Sequence, residues 1–285
     1  MRHSRLIDAS TLAALIARDA VMLFDCGFDL ADPGAGEAAY RAGHLPGAQY
    51  LHLDAHLSGP MTGDNGRHPL PDPEVFADTL RRAGLRRGQQ VVAYDAAGGP
   101  YAARLWWLLR WIGHDAVAVL DGGIQAWIAA GGALESGTAA ARGDGDFRVE
   151  TPGAQATVDA AMVGAGLERR DVLLVDARAP ERFAGQPHPL DRVAGHIPGA
   201  VNRFFKDNLA EDGRFKAPDI LAAEWRALLG ERSASNAVMQ CGSGVTACHN
   251  LLALAAAGME GARLYPGSWS EWTADPARPV AVGGA

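Results

Sequence analysis

The chain of 285 residues contains two copies of one unit, and this repeat constrains its fold more than any other feature. Residues 43–48 (GHLPGA) recur almost unchanged as residues 195–200 (GHIPGA). Two more pairs recur in the same order: 21–25 with 172–176, and 121–127 with 266–272. Because the repeating unit is roughly half the chain, a short solenoid repeat is excluded and two tandem domains are predicted.

Each copy alternates short apolar runs with helical patterns. The predicted strands are 21–24, 91–94 and 117–120, then 172–175, 237–240 and 262–265. The predicted helices are 74–83, 101–112, 221–229 and 246–257. This alternation predicts an α/β fold in which each domain is a mostly parallel sheet flanked by helices. We place the domains at 1–137 and 154–285, with a linker rich in Gly, Ala, Arg and Asp at 138–153.

Composition excludes several classes of function. A net charge of −7 disfavours general nucleic-acid binding. Three cysteines are too few for a disulfide framework, and no set of Cys and His has metal-site spacing, so we predict no metal and no cofactor. The first residues contain no apolar run of signal length, and no stretch could cross a bilayer, so a cytoplasmic protein without membrane contact is expected.

One cysteine stands where chemistry is expected. Cys241 follows a predicted strand, Gly242 and Gly244 come next, and a helix is predicted to begin near Val245. Glycines let several backbone N–H groups point inward, and a helix N-terminus adds positive potential, so the loop favours a thiolate. Free cysteines are often merely buried. Cys248 fits that description, whereas the setting of Cys241 indicates a reactive group.

Residues 241–246 (CGSGVT) resemble the active-site loop of the mercaptopyruvate-type sulfurtransferases in the rhodanese superfamily. The two GH(L/I)PGA segments and residues 266–272 (PGSWSEW) resemble signatures of the whole superfamily. The resemblance implies two rhodanese-like domains, of which only the second is catalytic, with Cys241 carrying sulfur as a persulfide. Asp95 stands at the matching position of the first domain, where a carboxylate cannot accept sulfur. The first domain is therefore expected to be inactive and to supply one wall of the cleft.

The residues after Cys241 bear on the sulfur donor. Relatives that use thiosulfate place cationic residues there, whereas Gly242 and Ser243 are neutral, so 3-mercaptopyruvate is favoured. Thiosulfate:cyanide transfer is the alternative, and a persulfide carrier serving a protein partner is another. By the resemblance, the substrate carboxylate is bound by arginine. The substrate-binding residues it implies are Arg182, Arg192, Gly242, Gly244, Val245 and Thr246.

The resemblance also implies a proton relay in which Asp54 orients His68, and His68 polarises Ser243, both Asp54 and His68 coming from the first domain. His44 and His196 occur in an active and an inactive domain alike, so they are expected to be structural. Arg178 is expected to support the fold. The expected sulfur acceptors are cyanide, thioredoxin, glutathione or another thiol. A cysteine phosphatase is disfavoured, because residues 245–248 lack the arginine that would grip a phosphate.

Overall fold

The computed structural model describes residues 2–140, 142–150 and 157–284. By their contacts, the described residues fall into a first unit (within 1–59, 71–153 and 211–214) and a second unit (within 60–70, 154–210 and 215–285). Residues 141 and 151–153 of the expected linker, and 154–156 of the expected second domain, lie outside the described residues.

The described part of the first unit forms a five-stranded parallel sheet in the order β1-β5-β4-β2-β3. Its strands are β1 (Leu6–Ile7), β2 (Val21–Asp25), β3 (Gln49–Tyr50), β4 (Gln90–Tyr94) and β5 (Val117–Leu120). Its helices are α1 (Ala9–Ile16), α2 (Ala35–Ala42), α3 (Leu53–His56), α4 (Pro73–Arg82), α5 (Pro100–Trp111) and α6 (Gly123–Ala129). The central strands β2, β4 and β5 are almost wholly buried, as their uninterrupted aliphatic runs require in a parallel sheet.

The described part of the second unit repeats this plan with a four-stranded parallel sheet in the order β7-β6-β8-β9. Its strands are β6 (Leu173–Asp176), β7 (Val201–Asn202), β8 (Ala237–Gln240) and β9 (Arg263–Leu264). Its helices are α7 (Ala160–Arg169), α8 (Pro180–Phe183), α9 (Pro218–Leu229), α10 (Thr246–Ala256) and α11 (Ser268–Trp272), with 3₁₀ turns at Phe205–Asn208 and Ala234–Asn236. The predicted tandem α/β fold is confirmed.

The repeated histidines, His44 and His196, make equivalent contacts in their two units. The Nδ1 of His44 lies 2.8 Å from the carbonyl oxygen of Tyr40, whose ring stacks on the imidazole. His196 makes the equivalent bond and stacking contact with Phe183. Both histidines are almost fully buried, so they fix the turn of the repeated motif.

The described part of the expected linker packs against the first unit. Gly145 donates its N–H to the carbonyl of Arg81 (2.8 Å), and Glu150 donates to that of Ile112 (3.1 Å). The Phe147 side chain is 2% exposed. These contacts are made by an extended chain without apolar periodicity, so sequence pattern alone could not distinguish this segment from a free linker.

Candidate active site

Cys241 occupies the carboxyl end of β8, which lies between β6 and β9 in the second sheet. Its side chain is buried, and two N–H groups point at its sulfur. The Sγ lies 3.1 Å from the amide nitrogen of Gly244 and 3.5 Å from that of Ser243. Donors fixed at these positions stabilise negative charge on the sulfur, whether as thiolate or as persulfide.

Gly244 makes this arrangement possible. Its φ of +78° lies in the left-handed region, which glycine adopts without steric cost. A Cβ at this position would stand 2.4 Å from the backbone oxygen of Pro266, so any larger residue would collide with main chain. Val245 and Thr246 follow, and α10 begins at Thr246 with its N-terminus beside the loop.

The first turn of α11 supports the cysteine loop. Ser268 is buried at a φ of +54°, unusual for a residue other than glycine. Its Oγ accepts the N–H of Cys241 at 3.1 Å and donates to the carbonyl of Tyr265 at 2.8 Å. Trp269 donates its N–H to the carbonyl of Cys241, and Ser270 to that of Gly242, each at 3.0 Å. The repeated segment at residues 266–272 therefore supports the cysteine loop.

His68 and Ser243 are in contact. The Nδ1 of His68 lies 2.7 Å from the Oγ of Ser243, and both side chains are buried. From the sequence His68 is expected in the first domain, but residues 60–70 belong to the second unit by their contacts. Within that unit, Arg67 donates its backbone N–H to the Oγ of Ser270 at 3.1 Å. Asp54 lies exposed on α3 of the first unit, and its contact with His68 stays a prediction.

The expected substrate arginine, Arg182, is already engaged by a residue of the chain. Its Nε and Nη2 donate to the carboxylate of Asp191 at 2.8 and 2.6 Å. Burial disfavours the charge of Arg182, but the hydrogen bonds and attraction of Asp191, together with Cys241, outweigh burial and raise the pKa of Arg182. Arg178 binds Asp176 through Nε and Nη2, the closest contact being 2.7 Å, which is the fold-supporting role expected of it.

Two neighbours of the loop were missed from the sequence, Arg67 and Asp191. A Cβ built on Gly242 would lie 2.8 Å from the Nη2 of Arg67 and 3.2 Å from the Nη2 of Arg182. Asp191 is paired with Arg182, and its side chain is 2% exposed. Burial alone would raise the pKa of Asp191, but its bonds to Arg182 and the nearby guanidinium charges lower it. The available signal was proximity in sequence, since Arg67 precedes His68 and Asp191 precedes Arg192.

Arg192 is exposed and lines a cavity of about 270 Å³ in the second unit. Arg67, Leu190 and Ser270 line the same cavity. The side chain of Arg192 thus borders open space, and its role in substrate binding stays a prediction.

The loop of the first unit that corresponds to the cysteine loop is filled by its own carboxylate. The Asp95 side chain is almost fully buried and accepts four backbone N–H groups at 2.8 to 3.0 Å, from Ala97, Gly99, Tyr101 and Ala102. Burial raises the pKa of Asp95, and these four hydrogen bonds oppose that rise. A ring of N–H groups that would suit an external anion is therefore already occupied.

Asp95 and Cys241 make corresponding backbone bonds in their two units. Ile124 donates its N–H to the carbonyl of Asp95 at 3.2 Å, as Trp269 does to that of Cys241 at 3.0 Å. Gly123 has a φ of +58°, close to that of Ser268 one residue before Trp269. The duplicated turn thus holds the equivalent loop in each unit.

The other two cysteines have different surroundings. Cys248 is fully buried on α10 and donates its S–H to the carbonyl of Gly244 at 3.3 Å. Cys26 is buried beside β2, and burial, together with the charges of Asp25 and Asp95, raises the pKa of its thiol. The pair of N–H donors aimed at a sulfur is described at Cys241.

The family model for the rhodanese-like domain matches the chain twice, at residues 8–130 and 159–275. The chain belongs to the rhodanese family. It is 49% identical to the "Probable 3-mercaptopyruvate sulfurtransferase" of Pseudomonas aeruginosa, over 99% of this chain and 100% of that protein. It is 42% identical to the "Putative thiosulfate sulfurtransferase" of Mycobacterium tuberculosis, over 100% of this chain and 99% of that protein.

A solved structure resembles the fold closely. The 3-mercaptopyruvate sulfurtransferase from Leishmania major aligns with a TM-score of 0.85 at 30% identity, over 97% of this chain and 75% of that one. Among the described residues of this chain, none of the helices has the length and apolar character needed to span a bilayer.

Proposed function

We propose that this rhodanese transfers sulfur from 3-mercaptopyruvate to cyanide or a thiol through a persulfide on Cys241. The observation that carries the proposal is the buried Sγ of Cys241, which faces the N–H groups of Gly244 and Ser243 at 3.1 and 3.5 Å. The prediction of a sulfurtransferase of the 3-mercaptopyruvate type is confirmed by relatives of that name that match nearly the whole chain.

In the first half-reaction, the Cys241 thiolate attacks the sulfur of the donor. An S–S bond forms and the C–S bond of mercaptopyruvate breaks, leaving its electron pair on carbon. The proton of the donor thiol ends on that carbon, which gives pyruvate and a persulfide anion. In the second half-reaction, cyanide attacks the outer sulfur, and thiocyanate leaves as the Cys241 thiolate returns. The loop N–H groups stabilise negative sulfur at both stages.

The proton transfer is assigned to His68 and Ser243. Their contact at 2.7 Å is a short hydrogen bond that can pass a proton between imidazole and hydroxyl. Ser243 also belongs to the cysteine loop, and its backbone N–H lies 3.5 Å from the reacting sulfur. Asp54 is proposed as the group that orients His68, following the logic of a catalytic triad.

Arg182 and Arg192 are proposed to bind the donor carboxylate. Arg182 uses two of its five N–H groups on Asp191, which leaves others for a substrate and fixes the direction of the guanidinium. Its Nη2 lies beside Gly242, next to the nucleophile. A preset guanidinium loses little conformational freedom when a carboxylate binds.

The acceptor is proposed to be cyanide or a small thiol such as glutathione, with thioredoxin as a protein acceptor and the cytoplasm as the compartment. The first unit is proposed to carry no sulfur, because Asp95 fills its loop.

The test is a donor comparison with two variants. Purified protein is given cyanide and either 3-mercaptopyruvate or thiosulfate, and kcat/KM for thiocyanate formation is measured. We expect mercaptopyruvate to be used and intact-mass analysis to find one added sulfur atom on Cys241. Cys241→Ser should lose both signals, whereas Cys26→Ser should keep both. Turnover by Cys241→Ser would refute the proposal.

A further inference from the structure

The positive charge beside the sulfur site is carried by residues outside the cysteine loop. Gly242 and Ser243, which follow the nucleophile, are neutral. Two guanidinium groups lie close to the point where the Cβ of a larger residue at position 242 would stand. The nearer group is that of Arg67, whose Nη2 lies 2.8 Å from that point, and the other is that of Arg182 at 3.2 Å.

The three arginines around the loop, Arg67, Arg178 and Arg182, differ in whether a carboxylate forms a salt bridge with them. Arg178 forms a salt bridge with Asp176 at 2.7 Å, and Arg182 forms one with Asp191 at 2.6 Å. Arg67 has no salt bridge to a carboxylate within the part of the chain that the structure describes. Asp191 attracts Arg67 without forming a salt bridge with it, so three guanidinium groups at the loop share two carboxylates.

Arg67 is nevertheless held in place. Its Nη1 donates to the carbonyl of Leu190, and its backbone N–H donates to the Oγ of Ser270. Its Nε is buried and without a hydrogen-bond partner among the described residues. A buried guanidinium N–H with no partner is costly, and an anionic ligand would remove that cost.

We propose that Arg67 is a specificity-determining residue that supplies, from a distant part of the chain, the cation that the loop itself lacks. This charge lets the same cysteine take sulfur from a dianionic donor, thiosulfate, as well as from the monoanionic mercaptopyruvate. The inference rests on the proposed function, because both donors react at Cys241.

The step with thiosulfate balances without a proton. The Cys241 thiolate attacks the outer sulfur of thiosulfate, an S–S bond forms to cysteine, and the S–S bond of the donor breaks. Sulfite leaves with the electron pair of the broken bond, and the enzyme keeps a persulfide anion. Three negative charges are gathered at the site throughout, against two for mercaptopyruvate. A single nearby cation is therefore worth more to the thiosulfate reaction.

The experiment measures kcat/KM for thiocyanate formation with each donor in wild type, Arg67→Gln and Arg67→Lys. We expect Arg67→Gln to lower kcat/KM for thiosulfate by about 10- to 100-fold and that for mercaptopyruvate by no more than about threefold. Arg67→Lys keeps the charge and should restore thiosulfate use to within about tenfold of wild type. Arg226→Gln, an exposed change on α9, is the control for net charge and should alter neither donor.

The outcomes separate this inference from the function on which it rests. Equal losses with both donors, or no loss with thiosulfate, would overturn the role of Arg67. A wild-type enzyme that uses mercaptopyruvate but not thiosulfate would overturn it too, while the proposed function would stand. Use of neither donor would refute both. The melting temperature of each variant is compared with that of wild type. A matching value shows that a loss of activity comes from the site and not from unfolding.

Discussion

Replacing Gly244 by alanine tests whether the shape of the cysteine loop sets both stability and activity. Two penalties apply. The first is the left-handed φ of +78°, which costs an L-residue about 1–2 kcal/mol. The second is the contact of the new Cβ with the backbone oxygen of Pro266 at 2.4 Å, which the main chain must relieve by moving. Overpacking of this kind costs about 1–3 kcal/mol. We therefore expect Gly244→Ala to lower the free energy of unfolding by about 2–5 kcal/mol.

Gly258→Ala is the matched control. Gly258 has a φ of +74° in the same unit, and a Cβ there would meet nothing within 4 Å. It should therefore show the backbone penalty alone, about 1–2 kcal/mol. Urea unfolding of both variants, followed by circular dichroism, measures the difference.

Activity should separate the two variants further. Relief of the clash at Gly244 moves the N–H that lies 3.1 Å from the Sγ of Cys241. Loss of one such donor typically costs about 100- to 1,000-fold in kcat. Gly258→Ala should keep kcat within about twofold of wild type, since the variant leaves the loop untouched. If Gly244→Ala matched Gly258→Ala in both stability and kcat, the loop would not be held as described.

Three other predictions concern proton transfer, the buried ion pair and pH. His68→Gln should lower kcat for mercaptopyruvate about 100-fold but affect thiosulfate far less, because only the former reaction moves a proton; equal losses would argue against the relay. Asp191→Asn leaves the partly buried Arg182 without its carboxylate partner, so urea unfolding should show a loss of about 1–3 kcal/mol, with the exposed Asp171→Asn as a near-neutral control. Burial raises the pKa of Asp25 to about 6, so its folded form binds a proton more tightly than its unfolded form. The contribution of this proton to the free energy of unfolding is fully present below about pH 4, and up to about 3 kcal/mol of it should be lost as the pH rises to 7. Asp25→Asn should remove this pH dependence of the free energy measured by urea unfolding.

Local patterns were sufficient for the repeated elements. Strand β8 and helix α10 lie within a residue of their predicted bounds, because an uninterrupted aliphatic run and a long apolar helix are set by neighbouring residues. The position of Cys241 between them follows directly. The contact of His68 with Ser243 agrees with the relay expected from family resemblance, although periodicity and composition carry no sign of it.

Contacts between distant segments were beyond sequence reasoning. The neutral residues Gly242 and Ser243 indicated a loop without positive charge of its own, and only the structure shows that Arg67 lies against Gly242 from a segment far away in the chain. Arg182 was expected to bind the substrate carboxylate, together with Arg192, and its pairing with Asp191 was not foreseen. Each of these features depends on where a side chain ends after folding, which no spacing rule supplies.

The sequence by itself determined the tandem α/β architecture and predicted which loop residues matter, Cys241 in one unit and Asp95 in the other, because repeats, strand–helix alternation and the residue at one loop position are local properties. Tertiary structure decided which charges surround the sulfur. Three segments of the second unit converge on the cysteine loop: residues 60–70, the residues near Asp191, and the start of α11 at Ser268. Electrostatic interaction depends on distance through space rather than along the chain, so the field at Cys241 exists only once the fold has brought these segments together.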